Sequence, residues 1–348
     1  MPFKTLAETK SQDVGTKFQT VGLVTDCREK RDKNGNPYWV ISIMDKTSTL
    51  DARVWSNSVW LDHTAGAKAE IPSPSESPLV KELNGKTIGV CGNVTEYKGK
   101  PQYQFGQVWI LDQRKEEYSP ENFVRSSPVS VEKLETEFWQ IVNGCGGEAG
   151  EFLRSVFRPD TELWEQFRQL PAAVAHHHAY AHGLLEHSIG VARSALAIAQ
   201  SYRGGEYSPD ADIVTAGALL HDIGKLDTYR LTPAPASTLQ GTVLEHIATG
   251  YARFVKLADE FGLSDVVKTH LGHIILSHHG QREFGSPILP ATPEAMIVAA
   301  ADNLDFYLNS WTRHAAPLDG GMDAPRAITD YDMSLQRRLW KWRPTEAR

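Results

Sequence analysis

The hydrophobic period of this chain changes once, near residue 115, and that change limits what the chain can fold into. Before it, apolar residues come in short alternating or β-branched runs: residues 20–25 (TVGLVT), 38–44 (YWVISIM), 50–55 (LDARVW), 87–97 and 102–111. Side chains on a strand repeat every two residues, so these runs read as five strands. Lys33-Asn34-Gly35-Asn36 and Lys98-Gly99-Lys100 read as hairpin turns, the first because Asn-Gly accepts positive φ at little cost. A break rich in Ala, Pro and Ser covers 65–78.

Five strands in under 100 residues, interrupted between the third and fourth, predict an OB-fold-like β-barrel, with another five-stranded barrel or sandwich as the alternative. Residues 119–130 form a polar connector containing Pro120 and Pro128, and from 131 apolar residues take helical spacing. The glycine-rich 144–150 (GCGGEAG) reads as a helix–helix loop rather than a phosphate loop, because Ala149 stands where a third glycine belongs and no strand precedes it. Residues 151–305 read as helix almost throughout. The tail has a loop over 315–325 and then a short, basic, Trp-containing helix. The expected fold class is therefore multidomain, β followed by all-α: a barrel at 1–115, a helical connector at 116–150, a helical domain at 151–311 and a tail at 312–348.

No run of about 18 predominantly apolar residues exists, so no membrane span is expected. Three cysteines, Cys27, Cys91 and Cys145, lie far apart with no CxxC pair, which argues against a disulfide framework or thiolate metal site and suits the cytoplasm. The net charge of −7 is unevenly spread: residues 1–115 hold 16 Lys and Arg against 13 Asp and Glu, and the remainder holds 20 against 30. A mildly basic front half permits phosphate contacts there.

Eleven of the thirteen histidines lie between His176 and His279. A single helical histidine is ordinary; the ordered series His187, His221-Asp222, His246, His278-His279 and Asp302 is not. Its centre is 219–225 (LLHDIGK), where an apolar helix carries a His-Asp pair at its inner end. A buried unpaired carboxylate is costly, and metal coordination removes that cost. Imidazole nitrogen with carboxylate oxygen suits Mn²⁺, Fe²⁺, Zn²⁺ or Co²⁺ rather than Ca²⁺. Gly224 lets the backbone turn, and Lys225 then projects a cation towards a substrate phosphate.

At this point the sequence resembles the HD superfamily of phosphohydrolases. The resemblance implies a helical HD domain with His187, His221, Asp222 and Asp302 as the minimal metal set, and Asp222 and Lys225 as catalytic residues. It implies His246, His278 and His279 as the extension to two divalent transition-metal ions bridged by Asp222. Mn²⁺ is the first choice, with Fe²⁺, Co²⁺ or Zn²⁺ as alternatives. Asp305 competes with Asp302, which aligns better with the family pattern. His177-His178-Ala179, 183–187 (GLLEH), 276–280 (LSHHG), 283–287 (EFGSP) and 301–305 (ADNLD) narrow the resemblance to YhaM-type 3′-to-5′ exoribonucleases, over roughly 15–311. Those proteins also place an OB-type domain before an HD domain. His182 departs from the pattern, where a small residue is usual. His177, His178, His182 and Glu283 are the expected substrate contacts nearby; His176 reads as a polar helix start, His270 as solvent-facing, and His273 as orienting a ligand or packing rather than coordinating.

On the barrel, Tyr38, Trp39, Trp55, Tyr97, Tyr103 and Phe105 occur among Lys33, Lys46, Arg53, Lys98 and Lys100. Aromatic faces stack unpaired bases while cations hold phosphates, and Tyr38, Trp39, Trp55 and Tyr103 are the candidate contacts. Neighbours on a strand point to opposite faces, so one of Tyr38 and Trp39 belongs to the core. The expected activity is metal-dependent 3′-to-5′ hydrolysis of single-stranded nucleic acid, RNA favoured over DNA, to nucleoside monophosphates. The rivals are an HD-type nucleotide or cyclic-dinucleotide phosphohydrolase and a non-catalytic nucleic-acid-binding protein. Oligomeric state is not legible.

Overall fold

Strand β1 (Lys17–Arg31) is long enough to serve two neighbours. Its second half pairs antiparallel with β2 (Pro37–Met44), and its first half pairs antiparallel with β6 (Thr87–Tyr97). A register shift between Val24 and Asp26 bends it where it passes from one to the other. The turn to β2 closes through Asp32, whose backbone N–H donates to Asn36, and Gly35 supplies the positive φ of 84°. β3 (Thr49–Val54) continues the meander, and β7 (Lys100–Leu111) pairs with β6. The barrel closes where Ala52 and Arg53 of β3 meet Tyr103 and Gln104 of β7 in parallel. One parallel closure in an otherwise antiparallel five-stranded ring is the OB arrangement.

The structure adds elements to this barrel. A computed structural model describes residues 3–64, 68–174, 178–231, 235–315, 327–333 and 335–341. Helix α1 (Leu6–Lys10) is capped by Thr5 and Glu8 and buries Leu6. β4 (Val59–His63) pairs in parallel with the second half of β7, and β5 (Ala69–Glu70) pairs with β4 inside the stretch expected to be a break. Helix α2 (Pro78–Lys81) follows. β4 escapes sequence reading because only Trp60 of its five residues is fully buried, so it has little alternation to detect. The barrel interior holds Phe18, Val24, Trp39, Ile41, Ile43, Leu50, Trp60, Val90, Phe105 and Val108.

The chain divides into two units, Met1–Ser126 and Ser127–Arg230 with Pro235–Arg348. The second begins with α3 (Val131–Gly144), α4 (Gly147–Val156) and α5 (Glu162–Gln169). The expected loop at 144–150 shrinks to two residues, because Gly147 already opens α4. Phe138, Trp139, Phe157, Trp164 and Phe167 form an aromatic cluster with centroid separations of 4.7–5.7 Å between several of its pairs. Next come α6 (Gly183–Ser201), α7 (Ala211–Leu220) and the short α8 (Lys225–Thr228). Asp210 caps α7 by accepting from the N–H groups of Asp212 and Ile213. A two-residue hairpin, β8 (Tyr229–Arg230) with β9 (Ala236–Ser237), interrupts a region read as all helix. The remaining helices are α9 (Leu239–Val243), α10 (Glu245–Phe261), α11 (Asp265–Ser277) and α12 (Pro293–His314).

Helix α7 is apolar all round and buried from Ile213 to Leu220, so it is the inner helix, with α6, α11 and α12 packed against it. The expected tail helix does not form among the described residues. Ile328 bridges Trp340 and Asp332 bridges Arg337 in antiparallel fashion, and Leu335 and Leu339 pack near Phe306 and Trp311. A short segment gains little from isolated helix formation, and burial against α12 outweighs it.

Candidate metal centre

His221 and His278 occupy the same position on their helices, the first residue after α7 and after α11. Each donates its Nδ1 hydrogen to the carbonyl three residues back, Ala218 for His221 and Ile275 for His278, both at 2.7 Å. Helix ends leave such carbonyls without partners, so the ring satisfies one and is fixed by it. His187, on the first turns of α6, donates Nδ1–H to Asp305 Oδ2 at 2.8 Å. His279 donates Nδ1–H to the Phe284 carbonyl at 2.6 Å. In a neutral imidazole a proton on Nδ1 leaves Nε2 as a lone pair. Four rings are thereby aimed as Nε2 ligands.

The lone pairs converge on carboxylates. His187 Nε2 lies 3.2 Å from His221 Nε2 and 3.2 Å from Asp222 Oδ2, with Asp302 Oδ1 at 3.3 Å. Asp222 Oδ1 points the other way, 3.5 Å from His246 Nε2 and 3.7 Å from His278 Nε2. His246, His278 and His279 each offer a nitrogen within 4.8 Å of the others'. Asp222 Oδ1, His246 Nε2 and His278 Nε2 are buried without a hydrogen-bond partner among the described residues. Three orphaned polar atoms around one carboxylate are unfavourable unless a cation sits between them. Donors about 2.1 Å from one ion lie about 3–4 Å from each other, so the residues fit divalent metal, with Asp222 shared between two positions.

The electrostatics agree. Burial opposes charge on His187, yet Asp222, Asp302 and Asp305 raise its pKa well above the ordinary value. Burial would raise the Asp222, Asp302 and Asp305 carboxyls, but Lys225 and the histidines around Asp222, and His187, His178 and neighbouring rings around the other two, hold all three well below the usual range. A field that retains a proton on a buried ring also attracts a metal cation. On the other side, burial depresses His246 to about 3 and holds His278 well below its usual value, so both are neutral donors. Lys225 is buried too, with Nζ 2.5 Å from Asp222 Oδ2. Asp222 therefore raises its pKa against the effect of burial. It balances charge at the shared carboxylate.

Backbone packing brings these residues together. A Cβ on Gly224 would lie 2.0 Å from the His246 carbonyl and 2.5 Å from the Gly250 nitrogen, so only glycine lets the turn after Asp222 touch α10. Asp227 of α8 and Arg253 of α10 reinforce that contact with a two-bond ion pair at 2.6 and 2.9 Å. Neither contact is visible in the sequence.

The remaining expected residues are dispersed. His176 and His177 lie outside the described residues. His178 is buried, with Nε2 2.9 Å from Asp305 Oδ2 and Nδ1 2.8 Å from the Tyr180 hydroxyl, which donates to Glu186. It backs Asp305 rather than facing solvent. His182 precedes α6 with φ of 65° and bonds the Arg168 carbonyl. Glu283 is exposed on the turn Arg282–Phe284. His273 accepts from the Ala291 N–H, while His270, expected to face solvent, is half-buried near Thr292 and Glu294. On the barrel, Trp39 is corrected: it is 3% exposed and packs edge-on against Trp60, so no base can reach it. Tyr103 is half-buried against Phe18 and bonds the Lys10 carbonyl, which makes it part of the barrel wall. Tyr38 and Trp55 are both half-buried and lie side by side, with centroids 5.0 Å apart. Arg53 sits 5.8 Å from both the Trp55 and Tyr97 rings, and Lys98 5.5 Å from Tyr97.

A helical unit that buries His, His, Asp and Asp around a metal-sized point, and that follows an OB-like barrel in the chain, defines a metal-dependent hydrolase of the HD type. The chain matches the HD domain family over residues 184–307, the segment holding every donor described above. Over 301 residues it is 26% identical to the 3′-5′ exoribonuclease YhaM of Listeria welshimeri serovar 6b, covering 85% of this chain and 87% of that protein. A solved lipoprotein structure from Klebsiella pneumoniae subsp. pneumoniae MGH 78578, described as nucleic acid-binding, matches at 20% identity over 28% of this chain and 73% of its own, with a TM-score of 0.19. That likeness is too low to bear on the fold.

Proposed function

We propose that this protein is a 3′-to-5′ exonuclease that removes nucleoside monophosphates from single-stranded RNA, and from single-stranded DNA as a secondary substrate. The observation that carries the reading is the gathering of seven candidate ligands, His187, His221, Asp222, His246, His278, His279 and Asp302, around Asp222, three of them with a buried atom that has no hydrogen-bond partner among the described residues. The similarity to an exoribonuclease over 85% of the chain supports RNA as substrate. The Tyr38–Trp55 pair flanked by Arg53 supports capture of unpaired bases by the barrel, assigned to 1–115, with hydrolysis assigned to 151–311. The connector at 116–150 and the tail at 312–348 complete the proposed division, and the site of action is the cytoplasm. Among the described residues no helix is long and apolar enough to cross a membrane.

His187, His221, Asp222 and Asp302 would hold one divalent ion, and Asp222, His246, His278 and His279 a second, Mn²⁺ being the first choice for mixed N/O donors. Such ions supply acidification of water and polarisation of phosphoryl oxygens. The protein's own part is preorganisation. Asp305, Ala218, Ile275 and the Phe284 carbonyl hold four rings in their ligating orientation, so little reorganisation is needed on binding. Lys225 offsets the charge of Asp222 and stands beside the place where phosphate charge accumulates. The apolar walls of α7 and α12 exclude bulk water, which strengthens each of these interactions.

Purified protein supplied with Mn²⁺ should be offered single-stranded RNA, single-stranded DNA and a cyclic dinucleotide in parallel. The reading expects RNA to shorten from its 3′ end with release of mononucleotides, and expects exhaustive chelation to stop it. Turnover confined to the cyclic dinucleotide would favour the nucleotide-hydrolase rival. Oligonucleotide binding without hydrolysis would favour the non-catalytic one.

A further inference from the structure

The candidate ligands differ in exposure. Among the histidines, His187, His221 and His278 are fully buried, whereas His246 and His279 are half-buried, so these two rings offer a substrate phosphate a way in. The segment that lies against His279 is the turn that follows it, Arg282–Phe284. Its backbone is tightly closed: the Phe284 N–H donates to Gln281, Gly285 to Arg282, and Ser286 again to Gln281, at 2.9–3.2 Å. The Phe284 carbonyl is the group that holds His279 Nδ1. An ideal Cβ on Gly285 would be 3.9 Å from both Glu245 Oε2 and His279 Nδ1, so the turn reaches the residue preceding His246 as well. Yet the Phe284 side chain is 53% exposed, beside the exposed Arg282 and Glu283.

A single exposed aromatic is ordinary on a flexible loop. Here the ring is presented by a turn fixed at both ends and bonded to a candidate ligand. We infer that Phe284 is the stacking platform for the 3′-terminal nucleobase of the substrate. This assignment rests on the exonuclease reading above. The ring and the carbonyl that orients His279 belong to one residue, so a base resting on the ring brings its phosphate beside the imidazole. Every base has a π-face, so such a contact senses the presence of a base and not its identity. Arg282 offers a cation to the neighbouring phosphate. The barrel would then contribute binding to the strand while Phe284 positions the last nucleotide.

The experiment compares the wild type with Phe284→Ala, Phe284→Trp and Phe284→Leu on short RNA ending in a normal nucleotide or in an abasic one. For base-bearing RNA, Phe284→Ala should raise KM about 10-fold with a smaller change in kcat, whichever base is terminal. Phe284→Trp should restore it and Phe284→Leu should not. On the abasic end all four proteins should perform alike, and bound metal and unfolding temperature should match the wild type. Equal losses on both ends, or full rescue by leucine, overturn the stacking role and leave the exonuclease reading intact. A wild type that shortens no RNA overturns both.

Discussion

His187 is gripped on both ring nitrogens by carboxylates from one helix: Asp305 Oδ2 lies 2.8 Å from Nδ1, and Asp302 Oδ1 lies 3.3 Å from Nε2. The two acids are three residues apart on α12 and so share a face. The inner one faces the candidate metal position; the outer one orients the ring and is itself held by His178. Asp305→Asn preserves volume and removes the charge. It should weaken metal binding about 10- to 100-fold, as loss of an orienting carboxylate does. Asp302→Ala should weaken it further by deleting a donor. Competition titration against a metal-sensitive chelator measures both, and an Asp305→Asn protein with wild-type affinity would remove Asp305 from the site.

The donors divide into two sets joined by Asp222. Wild-type protein should hold about two transition-metal ions per chain, and the double variant His246→Ala, His278→Ala about one, with severe loss of turnover. Elemental analysis of identically prepared samples decides this. One ion in each, with turnover retained, would leave a single-metal enzyme.

Gly224 touches α10 through backbone atoms that have nowhere to move. Gly224→Ala should cost about 1–3 kcal/mol of stability, since a methyl must displace the His246 carbonyl or the Gly250 nitrogen. It should also reduce occupancy of the His246 side of the site. Calorimetric unfolding with metal analysis tests both, and a variant unchanged in each would show that the helices separate freely.

Away from the candidate metal centre, Glu294 is buried at the start of α12, accepting from the Asp210 N–H at 2.9 Å and the Tyr207 hydroxyl at 2.8 Å. Burial alone would raise its pKa, but these donors and His270 lower it below the ordinary 4.5. The native state thus binds a proton less readily than the unfolded chain. The resulting stability is present above pH 4.5 and is lost as pH falls through the native pKa. Glu294→Gln should lose about 1.5–3 kcal/mol at neutral pH. That deficit should shrink in acid, as urea unfolding at pH 7 and pH 3.5 would reveal. A deficit independent of pH would mean the carboxylate charge is not what the site uses.

On the barrel, Trp39 and Trp55 should separate cleanly. Trp39→Ala opens the core and should cost about 3–5 kcal/mol of barrel stability. Trp55→Ala should leave stability within about 1 kcal/mol while weakening oligonucleotide binding by about 1–3 kcal/mol. Fluorescence anisotropy with labelled RNA reads the second effect, and unchanged affinity would dismiss the Tyr38–Trp55 platform.

The shift from period two to helical period, the Asn-Gly turn and the ordered series from His187 to Asp302 were all legible in the chain, because they depend on local geometry or on residue type. Period two also established that Tyr38 and Trp39 face opposite ways. Which of them is inside was decided by closure of β3 on β7, a contact between segments about fifty residues apart. The same limit applies to α12: spacing put Asp302 and Asp305 on one face, but the nitrogen each meets depends on how α6 sets the His187 ring between them. β4 went unread because it is held by pairing with distant β7, and the tail was misread as a helix because packing against α12 rather than its own pattern sets its form. Donor types are written in sequence; their convergence on Asp222 requires Gly224 to lie against α10, and only packing can bring that about.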